Sequence, residues 1–324
     1  MKRIASLSSL LAATVLAGSA AAQQYPTRNV SMIVPYAAGG PTDTVARVTA
    51  QAMGKPLGQT VIVENRPSAG GILGPEQVKN AKPDGYTILI HHIGMATTPT
   101  LYRNLRFKPL EDFEPIGLIN DVPMTIIGKP QLPAKDFKEF LEYIKKNKDK
   151  VSYANAGIGA ASHLCGMLFM SAIQTDFLTV PYKGTAPAMN DLLGGQVDFM
   201  CDQTTNTTSQ IKSGKVRAYA VTSAKRVPSL PDVPTLQEVG VKNAEVGIWH
   251  GLYAPKGTPK PVIDKLVSSL QEALKDEGVQ KRFADLGATT VPVSQQNPAA
   301  LQKHLKAEID KWAPLIKKAG QYAD

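Results

Sequence analysis

Two glycine-rich turns contain the residues whose types and spacing are best suited to binding chemistry. Ala38-Gly39-Gly40 and the stretch at 155–160 (NAGIGA) each follow an apolar run and precede a helical pattern. Such a turn leaves backbone N–H groups accessible, and the helix that follows adds the positive end of its dipole. The pattern favours capture of an anion. The alternative is a tight turn packed on a neighbour, because glycine is first a backbone-geometry residue.

Polar side chains near these turns each have two interpretations. Ser162 is either the N-cap of its helix or a ligand contact, and His163 either faces the cleft or covers the helix end. A third turn, at 91–99 (HHIGMATTP), follows another apolar run. Strand alternation directs only one of His91 and His92 toward a given face, and a lone histidine there is more often a structural group than a catalyst.

Two carboxylates lie beside the expected anion site. Asp202 ends an apolar run and either accepts a hydrogen bond from a ligand hydroxyl or ammonium, positions water, or ties down its loop. Asp43 lies in a first helical turn, where the dipole favours it whatever binds nearby. Tyr36 and Tyr182 end strands and line either a pocket or the core rim, whereas Lys183 is expected to be peripheral.

Catalytic and cofactor motifs are absent from the sequence. There is no G-x-S-x-G elbow, H-E-x-x-H helix, C-x-x-C pair or Walker loop. A hydrolase that used Ser162 and His163 fails on geometry, because adjacent helical residues point about 100° apart. The spacing of His91, His92 and Asp202 does not require a metal. We therefore expect neither catalysis nor a cofactor.

Alternating strand and helix patterns position these residues. Apolar runs at 30–34, 61–65 and 86–92 enclose helical patterns at 42–54 and 75–80, and a second series of runs follows at 151–155, 178–182, 197–201 and 217–222, preceded by a helix at 133–148. This alternation predicts an α/β fold with parallel sheets covered by helices on both faces. The tail reads as helices at 259–274 and 298–319. We expect two doubly wound, Rossmann-like lobes with a hinge and an interdomain cleft.

Length, charge and the N-terminus set the cellular context. Lys2 and Arg3 precede an apolar run that ends in small residues, which is typical of a signal peptide at 1–22. Its removal lowers the formal net charge from +9 to +7. The basic residues are scattered along helices, so the charge favours approach of anionic small molecules rather than nucleic acid.

We expect lobe 1 at 23–125 and 232–324, and lobe 2 at 126–231.

The two cysteines, Cys165 and Cys201, suit an oxidising compartment. The strands at 151–155 and 197–201 would be neighbours in a doubly wound lobe, and Cys165 follows the first of them. A disulfide and two free thiols both stay open, since Cα atoms more than about 7 Å apart cannot be bridged without backbone movement.

Blocks along the whole mature chain resemble the Bug-type periplasmic solute receptors of tripartite tricarboxylate transporters. In order they are IVPYAAGGPTDTVAR, VIVENRPSAGG, KPDGYTILI, HHIGMATTPTLYR, VPYKGTAPAMNDLLGGQVDFMCD, SLPDVPTLQEVG and APKGTPKPV. The resemblance implies a two-lobed periplasmic binding protein that closes around a small carboxylate, a mono- or dicarboxylate, an aromatic acid or an acidic amino acid. It also implies delivery to the membrane permease subunits of the transporter, and we expect a monomer. A receptor that signals to a membrane sensor kinase would have the same signature.

The resemblance implies that both glycine-rich turns hold the carboxylate through backbone N–H groups and ordered water. Where many relatives have serine after the second glycine of the second-lobe loop, this chain has Ala160, so Ser162 or a backbone N–H must supply that bond. The ligand-binding residues we expect are Tyr36, Ala38, Gly39, Gly40, Thr42, Asp43, His92, Met95, Ala96, Gly159, Ala160, Ser162, His163 and Asp202.

Overall fold

A computed structural model describes residues 25–320 together with 322 and 323. The predicted signal peptide lies outside the described residues. The strands are β1 (Val30–Val34), β2 (Val61–Asn65), β3 (Thr87–His92), β4 (Phe113–Gly128), β5 (Ser152–Asn155), β6 (Leu178–Pro181), β7 (Phe199–Gln203), β8 (Arg217–Val221), β9 (Gly247–Pro255) and β10 (Thr289–Thr290). The helices are α1 (Pro41–Leu57), α2 (Leu73–Lys79), α3 (Gly94–Leu101), α4 (Phe137–Lys146), α5 (Ala161–Ile173), α6 (Thr185–Leu193), α7 (Thr204–Lys212), α8 (Lys260–Lys275), α9 (Glu277–Asp285) and α10 (Pro298–Ala319).

Each lobe contains a parallel, three-stranded unit. In the first lobe β1 lies between β2 and β3, and in the second lobe β5 lies between β6 and β7. The apolar runs that form β1 and β3 are buried on both faces, which is typical of parallel strands covered by helices. The α/β architecture with two lobes is therefore confirmed. The glycine-rich turns lie at the carboxyl ends of β1 and β5, and each turn leads into the helix that follows its strand.

The centre of the sheet is antiparallel, and here the prediction of parallel sheets was wrong. The long strand β4 pairs with β9 over Phe113–Pro123, with β7 over Met124–Gly128 and with β8 over Thr125–Gly128. Proline and glycine interrupt the β4 sequence (FEPIGLINDVPMTIIG), and the register shifts beside Pro115 and Gly117. β4 therefore runs from one lobe into the other and joins both units into one curled, mixed sheet.

The chain crosses between the lobes along β4 and again after β8. The two crossings are tied together at Thr222, whose N–H donates to the Met124 carbonyl (2.9 Å) and whose hydroxyl donates to the Val246 carbonyl (2.6 Å). The Met124 N–H in turn donates to the Thr222 hydroxyl oxygen (3.0 Å). These bonds hold the two crossing segments side by side.

The C-terminal helices pack on elements of the N-terminal half of the chain. α8 packs on α1, and α10 packs on α3 and β4. In the second lobe a disulfide joins Cys165 on α5 to Cys201 on β7, with 6.2 Å between the Cα atoms. This bond fixes the helix that follows the second glycine-rich turn to the sheet. Within residues 25–320 no helix combines the length and the apolar character needed to cross a membrane.

Candidate functional site

Four helices begin around one small cavity between the lobes. α1 comes from the first lobe, and α5, α6 and α7 come from the second. The cavity encloses about 20 Å³. Its walls are formed by Tyr36, Gly40, Pro41, Thr42, His92, Ala156, Ala160, Ala161, Ser162, Thr185, Asp202 and Gln203. No lysine or arginine is among these lining residues.

The four helix N-termini at the cavity lack side-chain caps. Their N-cap residues are Gly40, Ala160, Gly184 and Gln203, and none accepts a first-turn N–H with its side chain. Among the other helices, α4, α9 and α10 are capped by Asp136, Asp276 and Asn297, whereas α2, α3 and α8 also lack a side-chain cap. An uncapped N-terminus leaves its first N–H groups without an intrahelical partner. The cavity therefore collects backbone donors and the positive ends of four helix dipoles.

Asp43 holds the first glycine-rich turn in shape. Its carboxylate accepts the Gly39 N–H (2.9 Å), two bonds from Arg47 (2.8 and 3.0 Å) and the Asn65 amide (2.9 Å). Burial raises the pKa of Asp43, but these bonds outweigh it and keep the pKa below its ordinary value. Gly39 has a φ of +81°, a conformation that favours glycine. The Asp43 carboxylate and the Gly39 N–H thus form a hydrogen bond with each other within the turn.

Ser162 supports the second turn without capping its helix. The N-cap of α5 is Ala160, so the N-cap interpretation of Ser162 was wrong. Its hydroxyl oxygen accepts the Ala156 N–H (2.9 Å), and its carbonyl accepts the Tyr153 hydroxyl. Because Ser162 also lines the cavity, its own O–H is available as a donor there. His163 is buried in the same turn of α5 but does not line the cavity.

His92, not His91, forms part of the cavity wall. Its Nδ1 accepts the Gly94 N–H (2.9 Å), so the proton of the neutral ring is on Nε2. The ring stacks on Tyr36 with 4.9 Å between centroids. Burial lowers the pKa of His92 well below its ordinary value, and neighbouring His91 and His250 lower it further. His92 is therefore a neutral hydrogen-bond donor at neutral pH.

A second buried histidine supports the first turn of α1 from behind. His250 Nδ1 lies 2.9 Å from the Asn120 carboxamide oxygen, and its Nε2 lies 3.5 Å from the Thr42 hydroxyl. Burial lowers the pKa of His250 to about 3. Asn120 and the neutral ring of His250 therefore position Thr42 without placing a charge next to the cavity.

Asp202 is the one carboxylate among the lining residues. It is the penultimate residue of β7, it is 1 % exposed, and its Oδ2 accepts a hydrogen bond from the Asn206 carboxamide nitrogen (2.6 Å). Burial raises the pKa of Asp202 to about 6, against the opposing effect of donors from Asn206 and Gln203. The raised pKa reflects a carboxylate that is buried without a cationic partner.

Direct hydrogen bonds join the lobes around the cavity. The Ala37 N–H donates to the Lys183 carbonyl (3.1 Å) and the Gly70 N–H donates to the Ala156 carbonyl (2.9 Å). The Thr97 and Tyr102 hydroxyls donate to the carbonyls of Gly159 (2.9 Å) and Ile158 (2.7 Å). A Cβ on Gly157 would lie 2.5 Å from the Gly70 nitrogen, so this approach requires glycine. The lobes thus meet through main-chain carbonyls of the second-lobe turn.

Half of the expected site residues line the cavity: Tyr36, Gly40, Thr42, His92, Ala160, Ser162 and Asp202. The others pack outside its lining: Ala38, Gly39, Asp43, Met95, Ala96, Gly159 and His163. Sequence reasoning missed Pro41, Ala156, Ala161, Thr185 and Gln203. A signal for Thr185 was present, since Gly184 before α6 repeats the pattern of a strand followed by glycine and a helix. Which of these residues touch a ligand stays a prediction.

Metal binding finds no support in the described part of the chain. Residues 25–320 contain no group of three or more histidine, cysteine, aspartate or glutamate side chains able to hold a metal ion. His91, His92 and Asp202, whose spacing left a metal site open, do not form one.

Comparison with known proteins gives close matches over the whole fold. The family model described as "Tripartite tricarboxylate transporter family receptor" matches residues 45–321. The periplasmic binding protein BugD is 60 % identical, with a TM-score of 0.91 over 93 % of this chain and 100 % of its own. MatC of Rhodopseudomonas palustris, solved with bound malate, is 39 % identical, with a TM-score of 0.87 over 90 % of this chain and 100 % of its own. Rpa4515 of R. palustris, solved with adipate, is 31 % identical, with a TM-score of 0.86 over 91 % and 98 %.

Proposed function

The chain belongs to the receptor family of tripartite tricarboxylate transporters, and from that premise we propose that it is a periplasmic receptor for a small carboxylate. The ligand is captured between the lobes by hinge closure and delivered, by a monomer, to the membrane permease subunits of such a transporter. One observation carries the proposal: four uncapped helix N-termini surround a cavity that has no cationic side chain.

Helix N-termini are suited to a carboxylate in this setting. Each carries roughly half a positive charge together with unpaired N–H donors. A carboxylate that accepts several such bonds recovers the hydrogen bonds that it loses on leaving water. The Ser162 hydroxyl and the His92 Nε2–H add two neutral donors, one from each lobe. The malate-bound and adipate-bound relatives support the choice of a carboxylate as ligand.

Closure couples binding to the contacts between the lobes. We assign lobe 1 to 23–125 and 232–324 and lobe 2 to 126–231, with flexion near the Thr222–Met124 bonds. A ligand that touches helix ends from both lobes binds the closed form more tightly and shifts the population toward it. Because the Gly39 N–H already donates to Asp43, the first-lobe contacts are assigned to Gly40 and Thr42.

A thermal-unfolding screen tests the proposal. Residues 23–324 are heated with mono-, di- and tricarboxylates, acidic amino acids and aromatic acids, and with neutral sugars as controls. A ligand at 100 times its Kd stabilises the native state by about 2.7 kcal/mol. We expect a rise in Tm with one class of acid. A rise with a sugar and none with any acid would refute the proposal.

A matched pair of variants tests where the carboxylate binds. Ala160→Asp adds a fixed carboxylate at the N-cap of α5, and Ala160→Asn adds an uncharged side chain of the same size and capping ability. The aspartate variant is expected to lose the ligand-induced rise in Tm much more completely than the asparagine variant. Equal losses would mean that the added volume, not competition with an anion, blocks the site.

A further inference from the structure

A second cavity of this chain shares no residue with the one at the helix N-termini. It lies between α10 and α5 and is bordered by residues 222–224 and parts of 236–245, and we call it the α10 groove. It encloses about 450 Å³, whereas the first cavity encloses about 20 Å³. Pockets of roughly 300–1,000 Å³ are typical of sites for small organic molecules. The α10 groove is therefore large enough for one such molecule.

Apolar side chains form much of the α10 groove. Leu236, Val241 and Trp312 line it and are buried, and Leu168 of α5 is half-buried there. Leu315 of α10 also lines the groove, but it is 44 % exposed. Removal of exposed apolar surface from water is favourable. An occupant with an apolar body is therefore stabilised by covering Leu315.

The charged residues that line the groove carry a net charge of +1, because two lysines, Lys242 and Lys311, face one carboxylate, Glu245. Lys311 is already paired, since its ammonium lies 3.2 Å from the Glu308 carboxylate and 4.7 Å from the centre of the Trp312 ring. Lys242 and Glu245 are exposed, and neither forms an ion pair within the described part of the chain. One negative charge on an occupant therefore balances the groove, and a second one would not be balanced.

The walls of the groove come from different parts of the fold. α10 packs on α3 and β4, whereas α5 packs on β7, and in the proposed division of the chain the two helices belong to lobe 1 and lobe 2. Thr222, which ties the two crossing segments together, also lines the groove. The lobes are in direct contact in this conformation, for example through the Tyr102 hydroxyl and the Ile158 carbonyl (2.7 Å). A molecule that touches both helices in this arrangement binds the closed form more tightly than a form in which the lobes are apart.

We propose that the α10 groove is a second binding site, which takes an amphipathic organic monoanion, and that its occupancy strengthens ligand binding in the cavity between the lobes. The anionic group pairs with Lys242, and the apolar body packs on Trp312 and Leu315. The second half of this proposal rests on the proposed function, whereas the first half does not. Because coupling between two sites is reciprocal, each ligand raises the affinity for the other by the same factor, about 5-fold or more.

Tryptophan fluorescence with an anionic dye tests the site itself. Trp249 and Trp312 are the only tryptophans of the chain, and both indole N–H groups donate to the Glu308 carboxylate (3.3 and 2.8 Å). All tryptophan emission therefore comes from beside the groove. Anilinonaphthalene sulfonate, which has one negative charge and an aromatic body, should bind saturably at one site, quench this emission and emit by energy transfer. Absence of saturable binding would overturn the site.

Two variants at exposed positions assign the dye to the groove. Leu315→Glu removes the exposed apolar surface and adds a negative charge, and it should weaken dye binding by about 10-fold. Lys242→Gln removes the pairing charge and should weaken dye binding by about 3-fold, as expected for an exposed ion pair. Lys318→Gln, at an exposed position of α10 outside the groove, is the control and should leave the dye Kd unchanged. If Leu315→Glu binds the dye as the wild type does, the dye lies elsewhere and the site is refuted.

Titration of each ligand in the presence of the other tests the coupling. A saturating concentration of the best-binding acid should lower the dye Kd by about 5-fold, and saturating dye should lower the Kd of the acid by the same factor. Leu315→Glu should bind the acid as the wild type does but lose the effect of the dye. Displacement of the dye by the acid would mean that both occupy one site and would overturn the proposal, and an unchanged dye Kd would overturn the coupling. If no acid binds but the dye still binds in the groove, the proposed function fails and the second site stands.

Discussion

Removal of the Tyr102 hydroxyl isolates the contribution of closure to affinity. This hydroxyl donates across the cleft to the Ile158 carbonyl (2.7 Å), a bond that exists only while the lobes are together. A typical net contribution of such a bond is about 1 kcal/mol. If the ligand-free protein is mostly open, loss of this bond shifts the equilibrium between the open and closed forms toward the open form by the same free energy. The closed fraction then falls by about 5-fold, and Kd rises by about 5-fold. Tyr102→Phe is therefore expected to bind its best carboxylate about 5-fold more weakly.

Tyr182→Phe is the matched control for this measurement. The Tyr182 hydroxyl donates to Asp191 (2.7 Å) within the second lobe, so its removal deletes the same chemical group without affecting a contact between lobes. Titration calorimetry gives Kd for both variants, and small-angle scattering of the ligand-free proteins reports the open fraction. If the two variants have the same Kd, or if Tyr102→Phe binds as the wild type does, the interlobe bond does not control closure.

Three further predictions concern the second lobe. Burial raises the pKa of Asp202 to about 6 from 3.8, so this group favours the folded state fully below pH 3.8 and that contribution is lost as the pH rises through 6. Asp202→Asn should therefore gain stability relative to the wild type between pH 4 and pH 8, by up to about 3 kcal/mol, and a pH-independent difference in urea unfolding would contradict this. The Cys165–Cys201 disulfide closes a loop with a sequence separation of 36, and its reduction should lower the free energy of unfolding by about 3–4 kcal/mol. No change in the urea midpoint would show that the bond does not constrain the unfolded chain. Ser162→Ala should weaken carboxylate binding by about 5-fold through loss of one donor. Ser171→Ala, at an exposed position of the same helix, should leave Kd unchanged. An unchanged Kd for Ser162→Ala would mean that the Ser162 hydroxyl serves only to accept the Ala156 N–H.

The parallel parts of the fold could be predicted because their sequence signal is local. β1 is a continuous apolar run, the centre of β3 is apolar, and α1, the helix after β1, begins directly after Gly40. β4 and β9 escaped prediction for a physical reason. Proline and glycine punctuate β4, and these residues usually mark loops, but here they are accommodated at shifts in the register with β9. The pairing between two segments more than 100 residues apart has no signal in either segment alone.

The site was predicted where glycine marked it and missed where ordinary residues formed it. Gly40 and Ala160 were expected because a strand, a small-residue turn and a helix follow one another. Gln203 is both the last residue of β7 and the N-cap of α7, with no intervening turn, so nothing in the sequence distinguished it. Ser162 was interpreted as a cap because serine is common there, but the helix begins two residues earlier and its hydroxyl serves the turn instead.

Backbone amide spectra of the labelled protein test the central claim most directly. We expect a carboxylate to be bound by first-turn N–H groups of helices from both lobes. A heteronuclear NMR titration with the best-binding acid should move the amide protons of Thr42, Ala161, Ser162 and Thr204 downfield, while first-turn amides of the capped helices α4 and α10 stay in place. Saturable binding that leaves all four of these cavity amides unshifted would contradict the account, because the acid would then be held by something other than the helix ends.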